Sequence, residues 1–269
     1  MFADNIENFA NLARAKVAAL KQNPLGFFVG SMMAGAYIGF GIILIFIVGS
    51  TVNPAYQKLV MGASFGIALT LVVFAGSELF TGHTMYMPIG WLRKTVGAGS
   101  VLRLWSFVWL GNLVGAAGLA TLFVLAGGGG MISDPTSFLH KAAAAKMNAS
   151  IIELLARSIL CNWLVTLALW MSGRATSDAG KAIAIFWCLY AFIASGFEHS
   201  VANMTLFTIS LLGNHPASVS VAGMAYNLLW VTLGNLLSGS LFMGVGYWLY
   251  SGVGKKDLKE PIPSMEQPG

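Results

Sequence analysis

Apolar residues run along this chain in six long stretches, each of about 18 residues or more, long enough to cross a bilayer as a helix. They fall at roughly 27–48, 59–86, 104–126, 151–173, 182–211 and 224–250. The first, third and sixth contain no Asp, Glu, Lys, Arg or His. The pattern predicts an all-α integral membrane protein with six transmembrane helices, residues 27–250 forming one membrane domain. Ahead of it, residues 1–26 carry Ile6, Phe9, Ala13, Val17 and Leu20 at helical spacing. That stripe predicts an amphipathic helix lying in the membrane interface. Residues 251–269 are charged and contain proline, which predicts a disordered tail. Gly127–Gly130 form a glycine run leading into a long 3–4 loop.

Composition agrees with a membrane protein. Hydrophobic residues make up 57% and charged residues 9%, against about 25% charged in a soluble domain. The net charge of +5 calls for no nucleic-acid partner, because the loops account for it. Eleven Lys and Arg lie in the N-terminus, the 2–3 and 4–5 loops and the C-terminus. Only Lys58, Lys141 and Lys146 lie on the opposite side, with Arg157 inside the fourth span. The positive-inside rule then puts both termini in the cytoplasm. Cys161 and Cys188 sit within apolar runs and read as small hydrophobes. The first 25 residues hold charges but no apolar core, so they do not form a cleavable signal.

The two halves echo each other. Gly-Ser-Glu at 76–78 returns as Gly-Phe-Glu at 196–198, offset by 120, and GNLVG at 111–115 returns as GNLLSG at 234–239, offset by 123. Three spans per half force the halves into opposite orientations, an inverted repeat that places a binding site at interrupted helices in matching positions. Spans two and five are those helices, reading GSELFTGHTM (76–85) and GFEHSVANM (196–204). A break at mid-membrane frees backbone groups that hydrocarbon cannot satisfy. Glu78 and Glu198 are expected to accept hydrogen bonds from the freed N–H groups. The exposed half-helix N-termini suit a small anion.

His199, at a break, is the leading candidate for the substrate path, since intramembrane ionisable groups mark such paths and histidine titrates near neutrality. Its plainer reading is a core hydrogen bond. Thr81 in the matching break offers a hydroxyl to an anion, or bonds back to its own helix. Asn162 and Asn203 read as bundle hydrogen-bonding residues near the path, and Asn112 and Asn235 as ties between the repeats. Leu79 and Phe80 suit a hydrophobic constriction. Lys146, if it leans inward, concentrates anions. Arg157 reaches deeper, where it would snorkel, and has no assigned role.

Taken together, GSELFTGHTM, GNLVG, CNWLV (161–165), ASGFEHSVANM (194–204) and GNLLSG resemble the formate/nitrite transporter family over roughly residues 20–250. NPLGF (24–28) and TLGNLLSGSLFMGVGYW (232–248) are most similar to its nitrite branch. The resemblance implies an aquaporin-like fold assembled as a homopentamer in a bacterial cytoplasmic (inner) membrane, with no enzymatic activity and no cofactor. It implies a central site of Thr81 and His199, with a cytoplasmic constriction of Leu79, Phe80 and Val165 and a periplasmic one of Phe65, Leu69 and Phe192. Lys146 and Asn162 match positions that shape the field near the pore. The implied cargo is nitrite, then formate, with hydrosulfide or lactate as other small anions. Paired Asn-Pro-Ala motifs, the mark of a true aquaporin, are absent. The alternatives are a haem-binding electron-transfer protein using His83 and His199, and a membrane scaffold.

Overall fold

A computed structural model describes residues 2–253; the expected tail lies outside that range apart from its first three residues. The described chain is helical, and five helices are long and apolar enough to cross a membrane. In chain order they are α2 (Pro24–Thr51), α3 (Gln57–Phe74), α5 (Ala98–Leu125), α8 (Ile151–Ser172) and a final Val221–Tyr250 run. That last run is α11 (Val221–Leu237), a π-helical segment (Ser238–Val245) and α12 (Gly246–Tyr250). The second predicted span is broken into α3 and α4 (Phe80–Leu92), and the fifth into α9 (Asp178–Ala194) and α10 (Ser200–Leu212). The long 3–4 loop contains α6 (Gly130–Ser133) and α7 (Phe138–Met147). Gly127, Gly128 and Gly129 enter it with φ of 99°, 45° and 60°.

Helix starts follow local chemistry. Ser150 caps α8 in a reciprocal box with Glu153, and Ser177 and Ser220 accept from Gly180 and Gly223 N–H at the starts of α9 and α11. Gly76 (φ 76°) and Gly196 (φ 73°) make the two breaks, since only glycine takes that left-handed turn without penalty.

The breaks are clasped by asparagines from neighbouring helices. Asn112 Oδ1 accepts from Phe80 N–H (2.9 Å), while Nδ2 donates to Ser31 O (2.7 Å) and Glu78 O (2.8 Å). Asn235 repeats each bond: Oδ1 accepts from Ser200 N–H (3.0 Å), and Nδ2 donates to Ser158 O (2.9 Å) and Glu198 O (3.2 Å). These partners correct two expectations. The freed N–H groups go to Asn112 and Asn235; among the described residues, the Glu78 and Glu198 carboxylates take side-chain donors instead. Each asparagine also works within its own half, so it does not tie the repeats together. Asn162 on α8 does that, donating to Thr84 Oγ1 (2.8 Å) on α4 and Asn235 O (2.7 Å) on α11. The physical reason is reach. A glutamate at the break projects away from its own backbone, whereas an amide on the adjacent helix offers a donor and an acceptor at the level of the gap.

A third correction concerns α1 (Ala3–Gln22). Its apolar face is covered by protein. Ile6, Ala10 and Ala13 are fully buried, Phe9 stacks near Tyr86 and Trp170, and Thr95 Oγ1 donates to Ala10 O (2.9 Å). Arg93 pairs with Glu7 (2.7 Å). The stripe was legible, but periodicity cannot distinguish lipid from an adjacent helix as its partner. Among the described residues, the Arg157 side chain reaches only Glu153 one turn back (3.4 Å), at a half-exposed position.

Close packing of α2 on α5 depends on Gly115 and Gly35. A Cβ at Gly115 would strike the backbone of Met32, and one at Gly35 the backbone of Asn112. Gly118, one turn on from Gly115, faces open space. Gly115→Ala is therefore expected to cost about 1–3 kcal/mol as overpacking, read as a lower unfolding temperature in detergent, with Gly118→Ala unchanged. Asn235→Ala leaves buried polar groups unpaired at about 1–3 kcal/mol each. It is expected to lower the unfolding temperature by more than Asn148→Ala, whose amide lies on the exposed surface.

Candidate functional site

The two half-helices α4 and α10 direct their N-termini into the interior, where Thr81 and His199 meet. Thr81 Oγ1 and His199 Nε2 are 3.1 Å apart, and both residues are buried. His199 is also the N-cap of α10: its Nδ1 accepts from Ala202 N–H at 3.1 Å. That contact assigns the tautomer. Nδ1 carries the lone pair, so Nε2 carries the hydrogen and donates to Thr81 Oγ1. The Thr81 hydroxyl hydrogen is left to point elsewhere. Among the described residues, Thr81 N–H and its repeat counterpart Val201 N–H have no acceptor. Three open donors, the Thr81 hydroxyl and the Thr81 and Val201 N–H groups, therefore lie in the first turns of the two half-helices beside the His199 Nε2–H, which is chemistry for a negative charge.

Aromatic side chains wall one approach. The rings of Phe65 and Phe192 meet edge-on at 5.3 Å, and Phe192 stacks near the His199 ring at 6.0 Å. Leu69 is buried on α3 with Phe65. Leu79, Phe80 and Val165 are also buried. Leu79 occupies the N-cap position of α4, and Phe80 in addition lines an apolar groove of about 730 Å³ between α5 and α11.

A cavity of about 190 Å³ reaches His199 from the α7 side, lined by Lys58, Lys146, Phe192, Gly196 and Asn203 among others. Lys146 does lean inward: its Nζ pairs with Glu198 Oε1 at 2.7 Å. Glu198 Oε2 accepts from Asn203 Nδ2 (2.7 Å), which also donates to Asn227 Oδ1 (2.9 Å). The other half repeats the arrangement. Lys16 on α1 pairs with Glu78 Oε1 (2.5 Å), and His83 Nε2 lies 3.0 Å from Glu78 Oε2. Lys16, Lys58 and His83 were not singled out as path residues from sequence. The repeat offset that maps Glu78 onto Glu198 also maps His83 onto Asn203 and would have found the last of these.

His199 uses one nitrogen on Ala202 and the other on Thr81, and His83 turns to Glu78, so the two rings do not face a shared centre. The bis-histidine haem alternative loses its geometric basis. The chain does contain one Asn-Pro-Ala sequence, Asn53-Pro54-Ala55, but it forms a turn after α2 in which Asn53 Oδ1 accepts from Ala55 N–H (3.0 Å). Neither break contains it.

Comparison with known proteins fits this geometry. A profile described as Formate/nitrite transporter matches residues 6–249. The chain is 54% identical over 249 residues to "Nitrite transporter NirC" of Escherichia coli (strain K12), covering 92% of each protein. A solved "FNT family ion channel" superposes with a TM-score of 0.90 at 52% identity, over 93% of this chain and 99% of that one. A "Pentameric formate channel with formate bound" superposes at 0.72 with 27% identity, over 86% and 98%. The inverted repeat with its two clasped breaks, matched along nearly its whole length, places this chain in the formate/nitrite transporter family.

Proposed function

We propose that this chain forms a channel for small monovalent anions, nitrite first and formate second, in the bacterial cytoplasmic membrane. Both termini face the cytoplasm, and the assembly is a homopentamer with a path through each protomer. Support for the pentamer comes from the fold shared with the pentameric formate channel, and for nitrite from the 54% identity to a nitrite transporter. The observation that carries the reading is the convergence of Thr81 and His199 in a buried site with two half-helix N–H groups that have no acceptor among the described residues.

The path runs as follows. Lys58 and Lys146 draw an anion into the outer cavity. The Phe65–Phe192 pair strips its water, a step that costs several kcal/mol for an ion without compensating bonds. His199 Nε2–H and Thr81 O–H supply those bonds at the centre. Leu79, Phe80 and Val165 close the inner side, and Asn162 holds α4 against α8 and α11 so that Thr81 keeps its place.

Proton transfer to the anion relieves the desolvation cost, but the hydrogen-bond pattern sets a condition on it. A neutral ring with its only hydrogen on Nε2 cannot serve as an acid without becoming an anion itself. His199 must first take a second proton at Nδ1, which displaces the Ala202 N–H. Proton delivery and the cap of α10 are therefore exclusive. Acid conditions favour both the protonated ring and the neutral weak acid, so flux rises as pH falls.

Uptake of nitrite and formate into proteoliposomes, compared across the histidine range of about pH 5 to 8, tests this. Nitrite is expected to cross faster. Faster formate would move the assignment to formate, and no flux of either would turn the question to hydrosulfide or lactate. His199→Asn keeps a capping acceptor but has no titratable ring, and it is expected to flatten the pH profile. An unaltered profile in that variant would remove His199 as proton donor. Thr81→Ala is expected to lower flux about 10-fold, the loss of roughly one hydrogen bond to a charged group, while leaving the shape of the pH profile intact.

A further inference from the structure

The repeat carries an asymmetry that the central site does not use. Each break holds its glutamate between a lysine and a polar residue five positions on: Lys146–Glu198–Asn203 in one half, Lys16–Glu78–His83 in the other. Asn203, Lys146 and Gly196 line the outer cavity. Under the 120-residue offset His83 and Gly76 correspond to Asn203 and Gly196, and Lys16 holds Glu78 as Lys146 holds Glu198; by that symmetry His83 belongs to the approach from the opposite side.

His83 is also incompletely bonded. Its Nε2 faces the Glu78 carboxylate, so Nε2 carries a hydrogen. Its Nδ1 is buried and has no partner among the described residues. A buried polar atom left open calls for an explanation. Lys16 from α1 holds the other oxygen of Glu78, Tyr86 of α4 lies at 4.8 Å between ring centroids, and Phe27 of α2 at 6.4 Å. Trp105 of α5 donates its indole hydrogen to the His83 carbonyl (3.1 Å). The open Nδ1, backed through the ring by a carboxylate, is a base. Asn203, in the same place in the other half, cannot take a proton.

We propose that His83 is a second proton-handling residue, on the cytoplasmic side of Thr81 and His199. It receives the proton from a neutral weak acid leaving the centre, so that the anion is released on that side. This rests on the anion-channel reading above. In the step, the O–H bond of the acid breaks, an N–H bond forms at Nδ1, and the electron pair stays on the departing anion. The positive ring is balanced by Glu78 until its proton passes to cytoplasmic water. The Lys146 triad has a fixed charge sum, whereas the Lys16 triad gains one positive charge when His83 is loaded.

His83→Asn copies the other half and keeps a donor for Glu78, so folding is expected to survive. Nitrogen NMR of the histidine-labelled protein in lipid nanodiscs should show one imidazole resonance, absent in H83N, that takes up a proton between about pH 8 and pH 5. A His83 ring that stays in one neutral form across that range overturns the proposal. In proteoliposomes with a trapped pH dye, H83N is expected to pass nitrite with fewer protons moved per anion than wild type; an equal ratio also overturns it. Wild-type protein that passes neither nitrite nor formate would sink the channel reading, while the resonance would still decide whether His83 binds a proton.

Discussion

The structure depends on one amide placed twice. Asn112 and Asn235 each give an acceptor to the first N–H beyond a break, and donate both to the carbonyl of the glutamate within the break and to a carbonyl of a neighbouring helix. A membrane interior gives such groups no water to turn to, so a broken helix survives there only if protein satisfies it. The clasp lets α4 and α10 start in mid-bilayer, with their N-termini pointed at each other. Among the described residues it leaves backbone N–H groups of each half without an acceptor, those of Thr81 and Val201 among them. Complete satisfaction would have produced a sealed bundle.

Relieved of capping, the glutamates serve a different purpose. Each anchors a lysine from a peripheral helix: α1 for Glu78 and α7 for Glu198. These helices lie outside the six predicted spans, yet each delivers a cation next to a break. The carboxylate keeps the lysine inside the protein, and the lysine keeps the carboxylate from repelling an approaching anion. Burying either charge alone would be costly; the pair is tolerable because further donors, His83 and Asn203, complete it.

Much of this was legible beforehand. The apolar spans, the two breaks, the inverted repeat and the Thr81 and His199 positions follow from hydropathy, from short motifs at matching offsets and from the family resemblance. What escaped was pairing across helices. Nothing in hydropathy says that an asparagine 32 residues away will reach Phe80 N–H while the adjacent glutamate does not. The α1 stripe gave its helical spacing but not its partner, because an apolar face packs as readily on Trp170 and Tyr86 as on lipid. The π-helical turn at Ser238–Val245 has a comparable cause. Gly239 lies directly against Thr84 and Ser240 Oγ donates to the Thr84 carbonyl (3.1 Å), so the glycine-rich segment is rewound where it meets α4.

The repeat also explains why one symmetric frame builds an asymmetric centre. Under the same offset, Leu79 corresponds to His199 and Thr81 to Val201. Each half supplies one polar and one apolar side chain, in swapped order. Because the half-helices approach from opposite directions, residues of different register meet, and a hydroxyl from one half touches a ring from the other. The swap has a further consequence at the caps. In α4, Leu79 has no side-chain acceptor, and Gly82 N–H closes back on the Leu79 carbonyl (3.1 Å). In α10 the matching N–H, from Ala202, goes to the His199 ring instead. The helix start thereby decides which ring nitrogen is occupied and which faces Thr81. A histidine two residues later would sit at Val201, where its ring could not cap Ala202 and either tautomer would be open to it. At residue 199 the backbone itself holds the donor hydrogen on the side where the anion is expected to pass.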